Sequence, residues 1–270
     1  MTATKTISPP VGVHVPAGKR IAAIVAGLRT SAALSPFTEK EVLGLPALIP
    51  SGGVCFDIGA AYGMYTFPLA QLVGGSGQVH SFEPLAGSAR LLDAARLLGG
   101  GRNVRLHREA VGREPGRQVI TVPTRWGLPI RGRAFLSHGA SDTGANDEFS
   151  SHRDVTISVT TVDQVCRTEN ISRVDFMKID VEGAEMAVLE GAAATIESHL
   201  PHLLLEVEDR HLRKYGLRCT DVVDCLATRG YRMYGWNGRR WVPSSRVTTA
   251  ARNYLFSVSL DRQPAPAGAN

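Results

Sequence analysis

The 270-residue sequence contains no paired-cysteine spacing, no membrane-length apolar run, no internal repeat and no complete dinucleotide fingerprint. Each absence excludes a class. Cys55, Cys166, Cys219 and Cys225 show neither C-x-x-C spacing nor a histidine at zinc-finger distance, so reduced thiols in a cytoplasmic setting are the default expectation. No stretch approaches the ~18 uninterrupted apolar residues of a membrane span. Ile21 to Leu28 follows Lys19-Arg20, as a signal-peptide core would, but it lies behind a proline-containing lead and runs into Arg29. It reads instead as a helix docking on the domain. A formal charge of +5 raises the question of nucleic acid, and Arg102, Arg105, Arg108, Arg113, Arg117, Arg125, Arg131 and Arg133 crowd one region. Only Trp126 is interleaved with them and no binding motif accompanies them, so they read as a solvated basic face without a nucleic-acid partner. With 43% apolar residues the chain can bury a full core, and one large α/β domain with extensions is expected.

What is present begins at Val54-Cys55-Phe56-Asp57-Ile58-Gly59-Ala60-Ala61-Tyr62-Gly63, a short apolar run carrying an acid, then a small-residue turn into an amphipathic segment through Leu69 and Leu72. This is the pattern of a first strand, loop and helix in an open α/β sheet, where ligands bind beyond the carboxyl ends of the strands. A dinucleotide loop needs three glycines; here only Gly59 and Gly63 are in place, and the Asp57 carboxylate would repel a diphosphate. It would suit a ligand carrying an ammonium and a sulfonium, such as S-adenosylmethionine. Twenty residues past Gly63, Gln78-Val79-His80-Ser81-Phe82-Glu83-Pro84 is a second strand closed by an acid, and Glu83 is the expected ribose ligand.

Val174 to Glu185 carries the second motif, with Lys178 and Asp180 two apart on one strand face near its carboxyl end. Capping accounts for Glu182 and Glu185 at the start of a helix running to about Glu197; it does not account for Lys178 with Asp180. Leu203 to Glu208 is another apolar run ending in acids, followed by Asp209-Arg210-His211. Neighbouring strand ends would bring Asp180 and Glu206 together, either to share a divalent ion, to bind acceptor hydroxyls, or to raise one another's pKa so that one takes a proton.

Around this frame, residues 1 to about 18 read as a mobile lead, and Ile21–Leu34 and Glu39–Leu48 as helices, the second with a Thr38/Glu41 capping box. Val104–His107 is a third strand, and Ala110, in Glu109–Gly112, flanks the expected adenine position. Val119–Val122 and Val155–Val159 should pair as an added ribbon. Between them, Pro123 to Asp154 is about 30 residues long and reads as an acceptor lid in which His138 and His152 are pocket candidates. Asn237-Gly238 predicts a hairpin, Tyr254–Val258 a last strand, and 261–270 a disordered tail.

Phe56-Asp57-Ile58-Gly59 with Gly63 to Thr66, Ser81-Phe82-Glu83-Pro84, and above all Met177-Lys178-Ile179-Asp180-Val181-Glu182-Gly183-Ala184-Glu185 with Leu189-Glu190-Gly191 resemble the FkbM family of S-adenosylmethionine-dependent methyltransferases. The resemblance covers roughly Gly52 to Val258. It implies a Rossmann-like class I fold with a mostly parallel seven-stranded sheet and one reversed strand, here a domain over 51–260 behind an N-terminal helical extension over 1–50. It also implies O-methylation of a sugar, oligosaccharide, glycolipid or polyketide hydroxyl. Carried onto this chain, Asp57, Gly59, Gly63, Tyr65, Thr66, Glu83, Ala110 and Asp180 would hold the cofactor. Asp180 would face the reacting centre with Lys178, Glu206 and His211, either as base or, with Glu206 and Glu208, as ligand of a Mg²⁺ ion. The chain departs from the family at Ala61, where asparagine is usual. A small-molecule or glycan acceptor is the expected partner, with a homo-oligomer left open.

Overall fold

The apolar runs become strands because each is four or five residues long and bounded by turn formers, and the segments between them carry apolar residues at helical spacing. The computed structural model describes residues 19–34, 39–125, 128–129, 135–136 and 151–260. The helix α1 (Lys19–Leu34) and a 3₁₀ helix (Lys40–Ala47) precede β1 (Val54–Ile58), α2 (Thr66–Val73), β2 (Gln78–Phe82), α3 (Ala86–Gly99) and β3 (Val104–His107). Next come β4 (Ala110–Val111), β5 (Gly116–Arg125), β6 (Leu128–Pro129), β7 (Phe135–Leu136) and β8 (Ser151–Thr160). The second half runs α4 (Val162–Thr168), β9 (Phe176–Ile179), α5 (Glu185–Gly191), α6 (Ala193–His199), β10 (His202–Glu206), α7 (Asp209–Leu212), α8 (Cys219–Ala227), β11 (Arg232–Trp236), β12 (Trp241–Pro243) and β13 (Asn253–Ser257).

The main sheet has the order β12-β11-β13-β10-β9-β1-β2-β3. β1, β2, β3, β9 and β10 are parallel, and β13 is inserted antiparallel between β10 and β11. The seven expected strands with β13 reversed are therefore present. An eighth, β12, is added at the edge by the Asn237-Gly238 hairpin and also runs against the majority. Asn237 Oδ1 closes that turn by accepting from the amides of Arg239 and Arg240.

Alternation along each strand separates two cores. Phe56, Ile58, Met177, Ile179, Leu203 and Leu205 face α4, α5, α6 and α8; Cys55, Phe176 and Leu204 face α2, α3 and the N-terminal helices. Asp57 and Lys178 share the second face, and that parity decides which groups they meet. The added ribbon forms as expected: β5 pairs with β8 from Gly116↔Val159 to Thr124↔Ser151, inside a second sheet ordered β4-β8-β5-β6. Its Ile120, Val122, Ile157 and Val159 pack with Leu85, Ala110 and Ala184 in a third cluster beside the carboxyl ends of the main strands.

Two local expectations change. The segment from Lys40 is a 3₁₀ helix capped by Glu39 with no side-chain cap, and Pro46 sits inside it. The helix expected to run to about Glu197 is two, α5 and α6, broken at Ala192 (φ −111°, ψ 9°); Gly191 beside the break packs so close to the Gly112 carbonyl oxygen that a Cβ would stand 2.0 Å away. Thr38, most of the proposed 123–154 lid with His138, the side chain of His152, and the 261–270 tail lie outside the described residues.

Candidate active site

A cavity of about 300 Å³ opens at the carboxyl ends of β1, β2 and β9. The strand order runs outward in opposite directions from β1 and β9, so this is the topological switch point where open α/β sheets bind ligands. The turn after β1 forms one wall. Gly59 and Ala60 both donate to the Phe82 carbonyl, and Gly59 has φ +84° with its Cα so near the Asp180 carbonyl oxygen that a Cβ would stand 1.9 Å away. Only glycine permits β1 and β9 to approach this closely. Glu83, 6% exposed, closes the second wall: Oε2 accepts from the Ala61 amide at 3.0 Å and Oε1 from the Leu85 amide at 2.8 Å. Ala110 and Val111 line a third side, Ile120 reaches in from the ribbon, and Asp180, Val181 and Glu182 follow β9.

Of the expected cofactor residues, Gly59, Glu83, Ala110 and Asp180 line the cavity, whereas Asp57, Gly63, Tyr65 and Thr66 stand behind it. Asp57 is 2% exposed and accepts from the Thr66 hydroxyl at 2.5 Å, which in turn lies 2.9 Å from Ser81 Oγ. Burial raises its pKa to about 6, against the lowering effects of the Thr66 hydroxyl and Lys178. Its role in this geometry is to fix the start of α2 beside the loop. Gly63 supplies a left-handed turn, φ +88°, over Phe67 and Leu92.

Lys178 is 1% exposed. Its Nζ donates to Asn253 Oδ1 at 2.8 Å and to Asp180 Oδ2 at 3.3 Å, and it lies 5.1 Å from the centroid of the Tyr65 ring. Burial alone would pull the ammonium down, but Asp180, Glu39 and Glu206 hold it above the usual lysine range. Glu39, from the N-terminal preface, accepts from both Asn253 Nδ2 at 2.8 Å and the Tyr65 hydroxyl at 2.6 Å, and it lines the cavity. The network Lys178–Asn253–Glu39–Tyr65 thus joins the preface, β9 and β13. Neither Glu39 nor Asn253 was singled out in the sequence, because one sits before the first strand and the other on the reversed strand.

Glu206 is buried, and its carboxyl is pushed up by burial first and then by Asp180, with Glu182 and Glu208 adding to it and Lys178 opposing. Glu185, 2% exposed, is raised to about 7 by burial despite accepting from the Gly183 amide. Glu208 turns away to Arg210 and Arg252. His211, 7% exposed, comes instead beside Glu182, with Nδ1 2.8 Å from Glu182 Oε2. Among the described residues the ligand atoms that gather within 4.8 Å here are those of Glu182, Glu206 and His211, not the expected Asp180, Glu206 and Glu208. Glu182 reaches this place through a left-handed φ of +54°, which periodicity along the sequence does not reveal.

An open, mostly parallel sheet with a reversed strand and an acid-lined cavity at its switch point defines a Rossmann-like methyltransferase. The chain belongs to the FkbM family: the profile of the methyltransferase FkbM domain matches residues 57–233. The AMB antimetabolite synthetase AmbE of Pseudomonas aeruginosa is 25% identical over 246 residues, covering 82% of this chain and 11% of that protein. The chain therefore spans about a tenth of the length of the curated relative it matches. It is also similar to the solved structure of a methyltransferase FkbM from Methylobacillus flagellatus, at 16% identity and TM-score 0.47 over 89% of this chain and 60% of that one. An O-methyltransferase from Bacillus cereus in complex with SAH is 12% identical, with TM-score 0.45 over 90% of this chain and 91% of its own.

Proposed function

We propose that the chain is an S-adenosylmethionine-dependent O-methyltransferase acting on a hydroxyl of a sugar, an oligosaccharide or glycolipid, or a polyketide-type natural product. The observation that carries the reading is the charge of the cavity. Glu39, Glu83, Asp180 and Glu182 line it together with apolar and glycine residues, and among the described residues no lysine, arginine or histidine is a lining group. Such a wall favours a donor bearing an ammonium and a sulfonium and disfavours the diphosphate of a nicotinamide cofactor. The glycine–acid sequence of the loop and Glu83 at the end of β2 suit a nucleoside in the same cavity. The partial likeness to an antimetabolite synthetase is in keeping with a natural-product acceptor.

In the transfer, the acceptor oxygen attacks the methyl carbon in line with the sulfur; the O–CH₃ bond forms, the S–CH₃ bond breaks, and the sulfonium leaves as a neutral thioether. The donor is already activated, so holding the three atoms in line is the larger contribution and removing the hydroxyl proton the smaller. Asp180 is the group at the cavity that takes the proton. Lys178, bonded to Asp180 and buried, positions that carboxylate, with Glu206 and His211 behind it. Calorimetric titration with S-adenosylhomocysteine and, separately, with NAD tests the donor: the first should bind and the second should not. Tight NAD binding without the other would end the reading. Asp180→Asn should lower labelled-methyl transfer by about 10²-fold or more while changing S-adenosylhomocysteine affinity less than Glu83→Ala does.

A further inference from the structure

Among the described residues, potential cation ligands gather in two places. In the first, between β2, β3 and α4, His80 Nδ1 and His107 Nε2 are 3.1 Å apart, Gln78 lies against the other nitrogen of His80, and Arg105 pairs with Glu169. Every group there already has a partner. The second place is Glu182, which lines the cavity, with the buried Glu206 and His211 behind it, and it differs in this respect. Both ring nitrogens of the buried His211, and Oε2 of Glu182, are without a hydrogen-bond partner; the 2.8 Å approach of Nδ1 to Oε2 is not aligned for one. Leaving buried polar atoms unsatisfied forfeits the hydrogen bonds they made to water, a loss that native structures accept where a ligand completes the bond.

The neighbouring full cations are directed elsewhere. Lys178 donates to Asp180 and Asn253, and Arg210 and Arg252 both pair with Glu208. Two carboxylates therefore converge on one imidazole. Packing holds them in place: a Cβ on Gly183, the residue after Glu182, would stand 2.5 Å from the His211 carbonyl oxygen, so these two turns touch through their backbones.

We propose that Glu182, Glu206 and His211 bind one divalent transition-metal ion of the Mn²⁺ or Zn²⁺ class. One imidazole with two carboxylates suits these ions better than Mg²⁺ or Ca²⁺, whose ligands are oxygens. Ligand atoms sharing an ion through bonds of about 2.1 Å lie ~3–4.3 Å apart; those here are within 4.8 Å, so small side-chain rotations close the set. Three protein ligands leave coordination positions open. Resting on the methyltransferase reading, those positions would take oxygens of the acceptor, orienting its hydroxyl and lowering its pKa before Asp180 removes the proton.

The test uses the full chain stripped with EDTA and titrated with Mn²⁺ while electron paramagnetic resonance reads the free ion. One ion should be taken up per chain. Glu206→Gln and His211→Gln should each weaken uptake at least about tenfold, whereas Glu169→Gln, in the other cluster, should not change it. S-adenosylhomocysteine titrated into the same samples reports separately on the cavity and on folding. Retained binding in the variants shows that they are intact, and Glu182→Gln serves where either of the others does not fold. Failure of S-adenosylhomocysteine to bind while Mn²⁺ does would remove the donor reading and leave the metal site standing. A free-ion signal that follows added Mn²⁺ in the wild type, with no uptake of Zn²⁺ by calorimetry, or uptake unchanged in every variant, would overturn the site.

Discussion

Lys178 stays charged although burial opposes it, because Asp180, Glu39 and Glu206 surround it. Replacing it with methionine keeps most of the volume but leaves three carboxylates facing one another and Asn253 without its donor. Lys178→Met should lose about 3 kcal/mol of stability, read as a lower urea midpoint; a midpoint within error of wild type would show that the ion cluster does not hold the sheet. At the loop, Ala61 occupies a left-handed conformation, φ +44°, while its amide donates to Glu83. That backbone costs an alanine roughly 1–2 kcal/mol, and asparagine bears it better. Ala61→Asn is therefore expected to gain about 0.5 kcal/mol or more, visible as a rise in Tm, with no loss of the Glu83 contact. The residue the family usually places here is thus also the one the backbone prefers.

The pairing of β1, β2 and β3 stacks Phe56, His80, His107 and Phe82 face to face, with centroids 4.5 to 5.6 Å apart. His80 is fully buried, and burial first, then His107 and Arg105, lowers its pKa to about 3. The folded chain therefore binds that proton less readily than the unfolded chain, whose histidine titrates near 6.5. This element contributes its full stability above pH 6.5 and loses it as pH falls toward 3, by up to about 1.4 kcal/mol per unit. Asp57, raised to about 6, works in the opposite sense, losing stability as pH rises from its ordinary range to about 6, so the comparison must be between variants. The stability difference between wild type and His80→Leu should shrink by about 3 kcal/mol between pH 7 and pH 4. A pH-independent difference in chemical denaturation would exclude a neutral buried imidazole.

Across the molecule, the preface belongs to the core. Ile21, Val25, Val42, Leu45, Leu48 and Ile49 are all buried in the cluster that also contains Leu69, Val79 and Leu255. The Trp241 indole donates to the Gly44 carbonyl at 3.1 Å, and a Cβ on Gly44 would stand 2.7 Å from Trp236. At about 1.5–3 kcal/mol per buried side chain, removing residues 1–50 would cost on the order of 10 kcal/mol, comparable with the whole stability of a typical domain. A chain starting at residue 51 should not fold, by circular dichroism and size exclusion; a monomer with a cooperative melt near that of the full chain would contradict this.

Local order was legible in the sequence because strands with one inward parity, small-residue turns and acid-terminated runs leave short-range patterns. Gly59, Glu83, Asp180, the β5–β8 ribbon and the Asn237-Gly238 hairpin were all placed by such patterns. Four things were decided only by tertiary structure. Asp57 turned out to brace α2 rather than line the cavity, because the packing of α2 on that face of the sheet sets Thr66 against it. Glu208 went to Arg210 and Arg252, and Glu182 took its place beside Glu206 and His211 through one left-handed residue. Glu39 and Asn253 joined Lys178 across more than seventy residues of chain. The reason is the same in each case: a side chain's direction follows from local backbone geometry, whereas its partner is whichever group the packing of distant elements leaves facing it.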